Sequence, residues 1–420
     1  MRHRPVAESG ISRRTAIAGG TALTAATLIG QSALARQQPA SPVASPVADP
    51  AAAIVAIAEA AMTDMDLRAV LLTVTVDGAE LVTHAIGESL DGVPATADMH
   101  VRNGAVAITY ISVLLLQLVD EGVVALDDTI DRWLPDLPDA DRVTLRMLAN
   151  MTAGYPDYVQ NPALATGIYE NPFRAWTADE LIGIGLSTPR VFPPGENWDY
   201  SHTDYVILGL ALEGATGTPL DELLRRYILD PLQLVNTASE QTAWMPQPVL
   251  HAYSSERREH FGVPVDVAFY EESTFWNPSW TVARGAVQYS TVADMASSFA
   301  AIGRGDLLSE SSMRELLSRD LLGFGAPLEG CPACHTLDEV YLYGLGIVLS
   351  GGWILQNPLF GGYASTAAYH PGSRIAVGIA TTFRESSYDE TGSYRFGKAG
   401  QAILHDIGVL LTPDDPPLLS

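Results

Sequence analysis

Cys331, Pro332, Ala333, Cys334 and His335 set two thiols and an imidazole within one short run. Cys-x-x-Cys-His is the pattern that attaches haem through two thioethers and an axial histidine, and the same groups can ligate a metal. The same pair, the only cysteines in the chain, can instead close a disulfide. Farther upstream, Tyr200, Ser201 and His202 place a phenol, a hydroxyl and an imidazole in succession. Groups of these types serve acyl-transfer chemistry as nucleophile or base. Other chemistries find no foothold: there is no Gly-x-Ser-x-Gly elbow, no His-Glu-x-x-His, no P-loop and no dinucleotide fingerprint. The acid-rich LDDTIDRWLPDLPDAD lacks calcium-loop spacing and reads as a solvated surface.

These groups need a frame. AAAIVAIAEAAMTDMDL (51–67) carries alanine and aliphatic residues at helical spacing. AVLLTVTVDGAELVTHAIG then gives two β-rich runs parted by Asp77-Gly78, a strong hairpin signal. RNGAVAIT (102–109) leads into the apolar YISVLLLQLVDEG. A helix starting near Ala105 and stopping at Gly122 is apolar nearly all round, so it is expected to be buried, and it is too short to cross a bilayer. Ser112, within it, reads as core. Residues 125–240 read as mainly helical with Pro-punctuated loops. Strand-like text returns at YLYGLGIVLS, ASTAAYH and RIAVGIATTF, and a last helix is expected within SYRFGKAGQAILHDIGVLL. A hairpin at the start and strands at the end predict an α+β fold. One antiparallel sheet is built from both chain ends, flanked by helices, with a mainly helical segment inserted.

VTLRMLANMTAGYPDY (143–158) resembles a block of the serine β-lactamase-like superfamily. That group holds class C β-lactamases, D-alanyl-D-alanine carboxypeptidases, penicillin-binding proteins and related esterases. LLLQLVDEGVVALDDTIDRWLPDLP, FPPGENWDYSHTDYVILGLALEGATGTPLDELLRRYILDPLQL (192–234), YGLGIVLS and AAYHPGSRIAVGIATT are similar to further blocks in the same order. The resemblance covers residues 60 to 410 or so and implies the serine β-lactamase/transpeptidase-like fold. It places one domain over 51–415, with an α/β part (51–108 and 285–415) and a helical part (109–284).

In such relatives a Ser-x-x-Lys pair opens the buried helix. The Ser attacks an acyl carbonyl and the Lys helps remove its proton. One helical turn points both at the same cleft. Setting RNGAVAIT on that block puts Ala105 at the Ser and Ile108 at the Lys, with Gly104 as the landmark before them. The single lysine, Lys398, has Arg395 three residues before it, so Ser-x-x-Lys occurs nowhere. The second motif, Tyr-x-Asn in relatives, is Tyr200-Ser201-His202 here. The third, a Lys- or His-led triplet ending in Gly, falls at Gln356-Asn357-Pro358, and Met151 stands where relatives usually carry His. The losses agree physically, because a lysine facing alanine in a closed cleft is an uncompensated charge costing several kcal/mol, which isoleucine removes. The expected cleft comprises Gly104, Ala105, Ile108, Tyr200, Ser201, His202, Gln356 and Asn357, with no catalytic residue and no metal among them. Backbone N–H groups at the helix start are expected to offer a partial anion site there.

SRRTAIAGG pairs Arg13 and Arg14 before a Gly/Ala/Thr-rich stretch, and SALA offers Ala33-Leu34-Ala35 as a small-residue cleavage site. Residues 1–35 therefore read as a twin-arginine export signal, too weakly apolar for a permanent span, and the Pro/Ala/Ser-rich 36–50 as a tether. Export to the periplasm, cell wall or exterior favours a Cys331–Cys334 disulfide over haem or metal. Of 420 residues, 47% are hydrophobic and 17% charged, enough for one large or two ordinary domains. A net charge of −25 argues against nucleic acid and anionic membrane surfaces as partners.

The reading that follows is an exported, non-catalytic relative of the serine β-lactamases. It binds a peptidoglycan-type peptide or another acyl ligand and needs no cofactor. Two alternatives stay open: a hydrolase with rerouted chemistry through Tyr200 or His202, and a haem or redox protein built on the CPACH segment. Oligomeric state is left open.

Overall fold

Asp77 and Gly78 turn the chain with φ of 52° and 78°, as a type I′ hairpin requires, between β1 (Leu67–Val76) and β2 (Ala79–Leu90). On its other side β1 pairs with the last strand, β11 (Ile375–Phe383), Val74 lying opposite Val377. The two ends of the domain thus meet at the centre of one sheet, as a computed structural model covering residues 49–239 and 242–419 shows. The leader (1–35) and the tether up to residue 48 lie outside the described residues.

From β1 the sheet runs one way through β2 to β3 (Val93–Pro94). The other way it runs through β11, β10 (Tyr363–His370), β8 (Trp353–Gln356), β7 (Val348–Ser350) and β6 (Leu342–Tyr343). β9 (Leu359–Phe360) pairs with β10, and β4 (Tyr253–Ser254) with β5 (Glu271–Glu272) forms a separate ribbon. Among the described residues every pairing between these strands is antiparallel. Both faces of the central strands are covered. Gly378 packs against Val292 of α9 (Val292–Arg304), while Thr366 packs against Gly400 of α11 (Ala399–Leu411). Because Thr366 pairs with Ile379 and Ala367 with Gly378, the two glycine contacts lie on opposite faces. α1 (Pro50–Asp64) joins α11 on its side.

α2 (Val106–Asp120) is buried from Val106 to Leu116. Its polar side chains are matched rather than solvated, which makes such burial tolerable. Thr109 donates to the Gly346 carbonyl at 2.6 Å, Tyr110 to Ser298 at 2.8 Å, and Ser112 pairs with the Tyr205 hydroxyl at 2.7 Å. Between α2 and α9 come α3 (Leu145–Ala149), α4 (Pro162–Glu170), α5 (Ala178–Gly185), α6 (His202–Thr216), α7 (Leu220–Leu224) and α8 (Asp230–Leu232). α10 (Glu310–Leu316) packs back on α2. No helix among the described residues is long and apolar enough to cross a membrane.

Several boundaries differ from expectation. The first helix stops at Asp64, not 67, because Asp66 takes a φ of 51° and Leu67 is already a buried strand residue. The last helix begins at Ala399, with residues 393–398 as its approach. Strands β3, β4, β5, β8 and β9 add to those expected. The domain also extends past residue 415. Trp353 Nε1 donates to the Asp415 carbonyl at 3.0 Å, and the Leu418 N–H donates to Ser350 Oγ at 2.9 Å.

Candidate functional site

The chain turns into α2 through Gly104, with φ of 43°, and Ala105 stands at the helix start without a side-chain cap. A Cβ on Gly104 would lie 2.4 Å from Cβ of Pro358, so glycine alone lets the segment after β8 approach the helix start. Between these segments lies a cavity of about 290 Å³. Gly104, Ala105, Asn357 and Pro358 line it, with Tyr200 and His202 from the residues around the start of α6. Trp280 and Phe360, their rings 5.6 Å apart, give it an aromatic end.

Gly104, Ala105, Tyr200, His202 and Asn357 therefore line one cavity, but three expected members do not. Ile108, one turn into α2, is 1% exposed and packs in the core. Ser201 donates to the Tyr155 carbonyl at 3.2 Å and accepts from the Asp204 N–H at 3.3 Å, capping α6. Gln356 donates to the Gly346 carbonyl at 2.9 Å. These three residues turn inward, Ile108 by apolar burial and the other two to satisfy backbone groups that burial leaves in need of partners.

The anion site is also smaller than expected. The N–H groups of Val106, Ala107 and Ile108 already donate to the carbonyls of Asn103, Gly104 and Ala105 at 3.1, 3.0 and 3.0 Å. What remains at the cavity wall is the Ala105 N–H.

His202 is held firmly. Asp157, whose side chain is 1% exposed, lies 3.1 Å from Nδ1 through Oδ2. Its Oδ1 accepts the His202 N–H at 3.2 Å and the Val159 N–H at 3.1 Å, so one carboxylate also caps the turn Tyr158–Gln160. With Nδ1 engaged, Nε2 is the nitrogen left for a ligand, an arrangement suited to a general base. No motif points to Asp157; its only trace in the sequence is its place within GYPDY. Tyr200 packs edge-on against His202 with centroids 5.2 Å apart. Burial, with Tyr341, Asp157 and Tyr205 nearby, holds its phenol well above the usual pKa of 10.

Lys398 precedes α11 and is not part of the cavity. Cys331 and Cys334 form a disulfide with 5.4 Å between their Cα atoms, and both are buried beside Phe192. His335 turns its Nδ1 to the Ala333 carbonyl at 2.8 Å and packs its ring edge on Trp198.

The Beta-lactamase family model matches residues 54–399. A penicillin-binding protein of Bacillus subtilis (strain 168) is 27% identical over 250 residues, 59% of this chain and 50% of its own length. Esterase EstB of Burkholderia gladioli is 26% identical over 265 residues, 57% of this chain and 66% of its own. The matches thus span from half to just under two thirds of these relatives. Among solved structures, a D-stereospecific amidohydrolase from Streptomyces sp. superposes with a TM-score of 0.70 at 24% identity, covering 86% of this chain and 99% of that one. The D-amino acid amidase of Ochrobactrum anthropi SV3, complexed with L-phenylalanine amide, also reaches 0.70, at 23% identity, over 87% and 99%. These two likenesses are of fold.

Proposed function

The chain belongs to the Beta-lactamase family, and from that premise we propose that it is an exported member that binds a small acyl or amide ligand of the peptidoglycan-peptide kind without forming a covalent intermediate. One observation carries this. Ala105 lies on the wall of an open cavity and Ile108 is sealed in the core, and the sequence resemblance sets these two positions, which carry neither a hydroxyl nor an amine, against the Ser and Lys of the family's acylation chemistry. Loss of the nucleophile alone removes about six orders of magnitude in rate. Positioning and backbone donors without it leave about 10³–10⁴ over water, too little for a defence against β-lactams. Relatives named as a penicillin-binding protein and an esterase support an acyl ligand. The Ala105 N–H, aromatic Trp280 and Phe360, and polar His202 and Asn357 supply the mixed lining such a ligand needs.

The test is labelling with a penicillin or a fluorophosphonate followed by intact mass, beside calorimetric titration with an acyl-D-Ala-D-Ala peptide. Unchanged mass with measurable peptide binding is expected. Stoichiometric adduct at a mappable side chain overturns the reading. The Arg13-Arg14 leader supports export by the twin-arginine route to the periplasm, cell wall or exterior. Replacing both arginines with lysine is expected to retain the chain in the cytoplasm on fractionation.

The His202–Asp157 pair favours a second reading, hydrolysis of an activated ester by water with His202 as base. It would show as slow turnover without an acyl-enzyme, abolished in His202→Ala.

A further inference from the structure

His202 lines the first cavity, and its partner Asp157 lines a second, of about 350 Å³. Asp199 and Cys331 also face this second space. Asp199 is 5% exposed, and among the described residues its carboxyl group takes no hydrogen bond and no ion pair; only burial and the charges of Asp157 and His202 act on it. An oxygen of Asp199 and the Sγ atoms of Cys331 and Cys334 lie within 4.8 Å of one another, all three residues buried. The other charged side chains there do not compete. Arg190 is directed to Asp139 at 3.0 Å and to the carbonyls of Ala153 and Pro138. Glu329, on the rim, adds negative charge.

A buried, unpartnered carboxyl group beside a Cys-x-x-Cys pair is three quarters of a tetrahedral ligand set. We propose that in its dithiol state the Cys331–Cys334 pair, with Asp199, binds one Zn²⁺ whose fourth position opens to the second cavity, and that closing the disulfide expels the ion. Thiolates and a carboxylate are ligands that zinc takes at about 2.3 and 2.0–2.2 Å, and Cys-x-x-Cys is the usual bite for the two sulfurs. Their three negative charges, with Asp157 alongside, favour a dication over any monovalent occupant.

The chemistry balances with a dithiol as reductant. It delivers two electrons and two protons to the S–S bond, giving two protein thiols and its own disulfide. Zn²⁺ then displaces the two thiol protons, and that of Asp199 where it is held, as two Zn–S bonds and one Zn–O bond form. Exchange with an oxidised dithiol reverses this: the S–S bond re-forms and Zn²⁺ returns to water. Dithiols prevail inside cells and disulfides outside them, so the compartment decides whether the site is loaded.

The test uses tag-free full chain and Zn²⁺ alone, titrated against a chromophoric chelator. It is run on protein reduced with a phosphine and on oxidised protein, and repeated with Co²⁺ to read thiolate charge-transfer absorption. One equivalent is expected in the reduced protein and none in the oxidised, with release when an oxidised dithiol is added. Asp199→Asn should weaken uptake by roughly tenfold or more, and Cys331→Ser by at least roughly 100-fold. If Cys331→Ser does not fold, alkylating the reduced wild-type chain removes the same ligands after folding. Equal uptake by reduced and oxidised protein, no cobalt–thiolate band, or full affinity in a folded Asp199→Asn overturns the proposal. None of these readouts depends on what the first cavity binds.

Discussion

Asp157 grips His202 at two points, its Oδ2 lying 3.1 Å from Nδ1 and its Oδ1 accepting the backbone N–H of the same histidine at 3.2 Å. One carboxylate therefore fixes both the imidazole and the first turn of the helix that carries it. It also caps the turn at Val159, so its removal leaves two backbone N–H groups and a ring nitrogen without acceptors. Asp157→Ala should cost about 2–4 kcal/mol by urea unfolding, the sum of a lost cap and unsatisfied buried donors. Asp157→Asn keeps one acceptor oxygen and should cost less. If ester turnover exists, Asp157→Asn should lower kcat at unchanged KM, because it misplaces the base and not the substrate.

Ala105 and Ile108, the two positions that the sequence resemblance sets against the Ser-x-x-Lys pair, should respond unequally to substitution. Ala105 is half-buried at the cavity wall, so Ala105→Ser should shift stability by no more than about 1 kcal/mol. Ile108 is 1% exposed, and Ile108→Lys buries an ammonium with no partner, expected to cost about 3–5 kcal/mol. Thermal melts of the two single variants check this directly. Neither single variant should acquire mass from a penicillin. The double variant should acquire it slowly, provided that the introduced amine reaches the introduced hydroxyl, and intact mass reads the difference.

The elements that announce themselves in the sequence are those with local signals. Asp77-Gly78 specifies its turn by the two residues' tolerance of positive φ, and α2 by an apolar run too long for a strand. β8 is harder to read. Its four residues Trp353–Gln356 are all buried, so no alternation marks them; only the Gly351-Gly352 turn, across which β8 pairs with β7, is a local signal, and its other pairing, with β10, lies farther along the chain. At the site, Ala105 is legible because the sequence resemblance draws attention to the start of the buried helix, and the structure puts Ala105 on the cavity wall. Asp157 is not, because its role depends on an imidazole 45 residues away, brought near only when the start of α6 packs on the turn at Tyr158. Motif alone places Ile108, Ser201 and Gln356 in the cleft, and the direction of a side chain is not something a motif carries.

Gly104 and Pro358 should be energetically coupled. In Gly104→Ala the new methyl group meets the Pro358 ring at 2.4 Å, with no flexible end to yield, and φ of 43° adds strain. A loss of about 2–3 kcal/mol is expected. Combining it with Pro358→Gly removes the clash, so the double variant should be more stable than the two single losses predict, by about 1 kcal/mol in a double-mutant cycle. Additive losses would mean that the wall relaxes without cost.

Asp199 makes stability depend on pH in a direction opposite to that of most carboxylates. Burial and the charge of Asp157 push its pKa from the ordinary 3.8 up to about 7. Between those values the folded chain keeps a proton that the unfolded chain has released, so unfolding becomes easier as pH rises. The stabilising contribution is complete below pH 3.8 and is lost as pH rises through about 7, above which both states are ionised and the dependence ends. For one proton the slope is at most about 1.4 kcal/mol per pH unit. Asp204, fully buried with neither carboxyl oxygen partnered and its pKa raised well above the ordinary value, adds a contribution of the same sign. Urea unfolding of the oxidised protein between about pH 4.5 and 7.5 should therefore show Asp199→Asn gaining on the wild type with rising pH and levelling off near neutrality. Parallel curves would mean that Asp199 is already ionised in the folded chain at about pH 5.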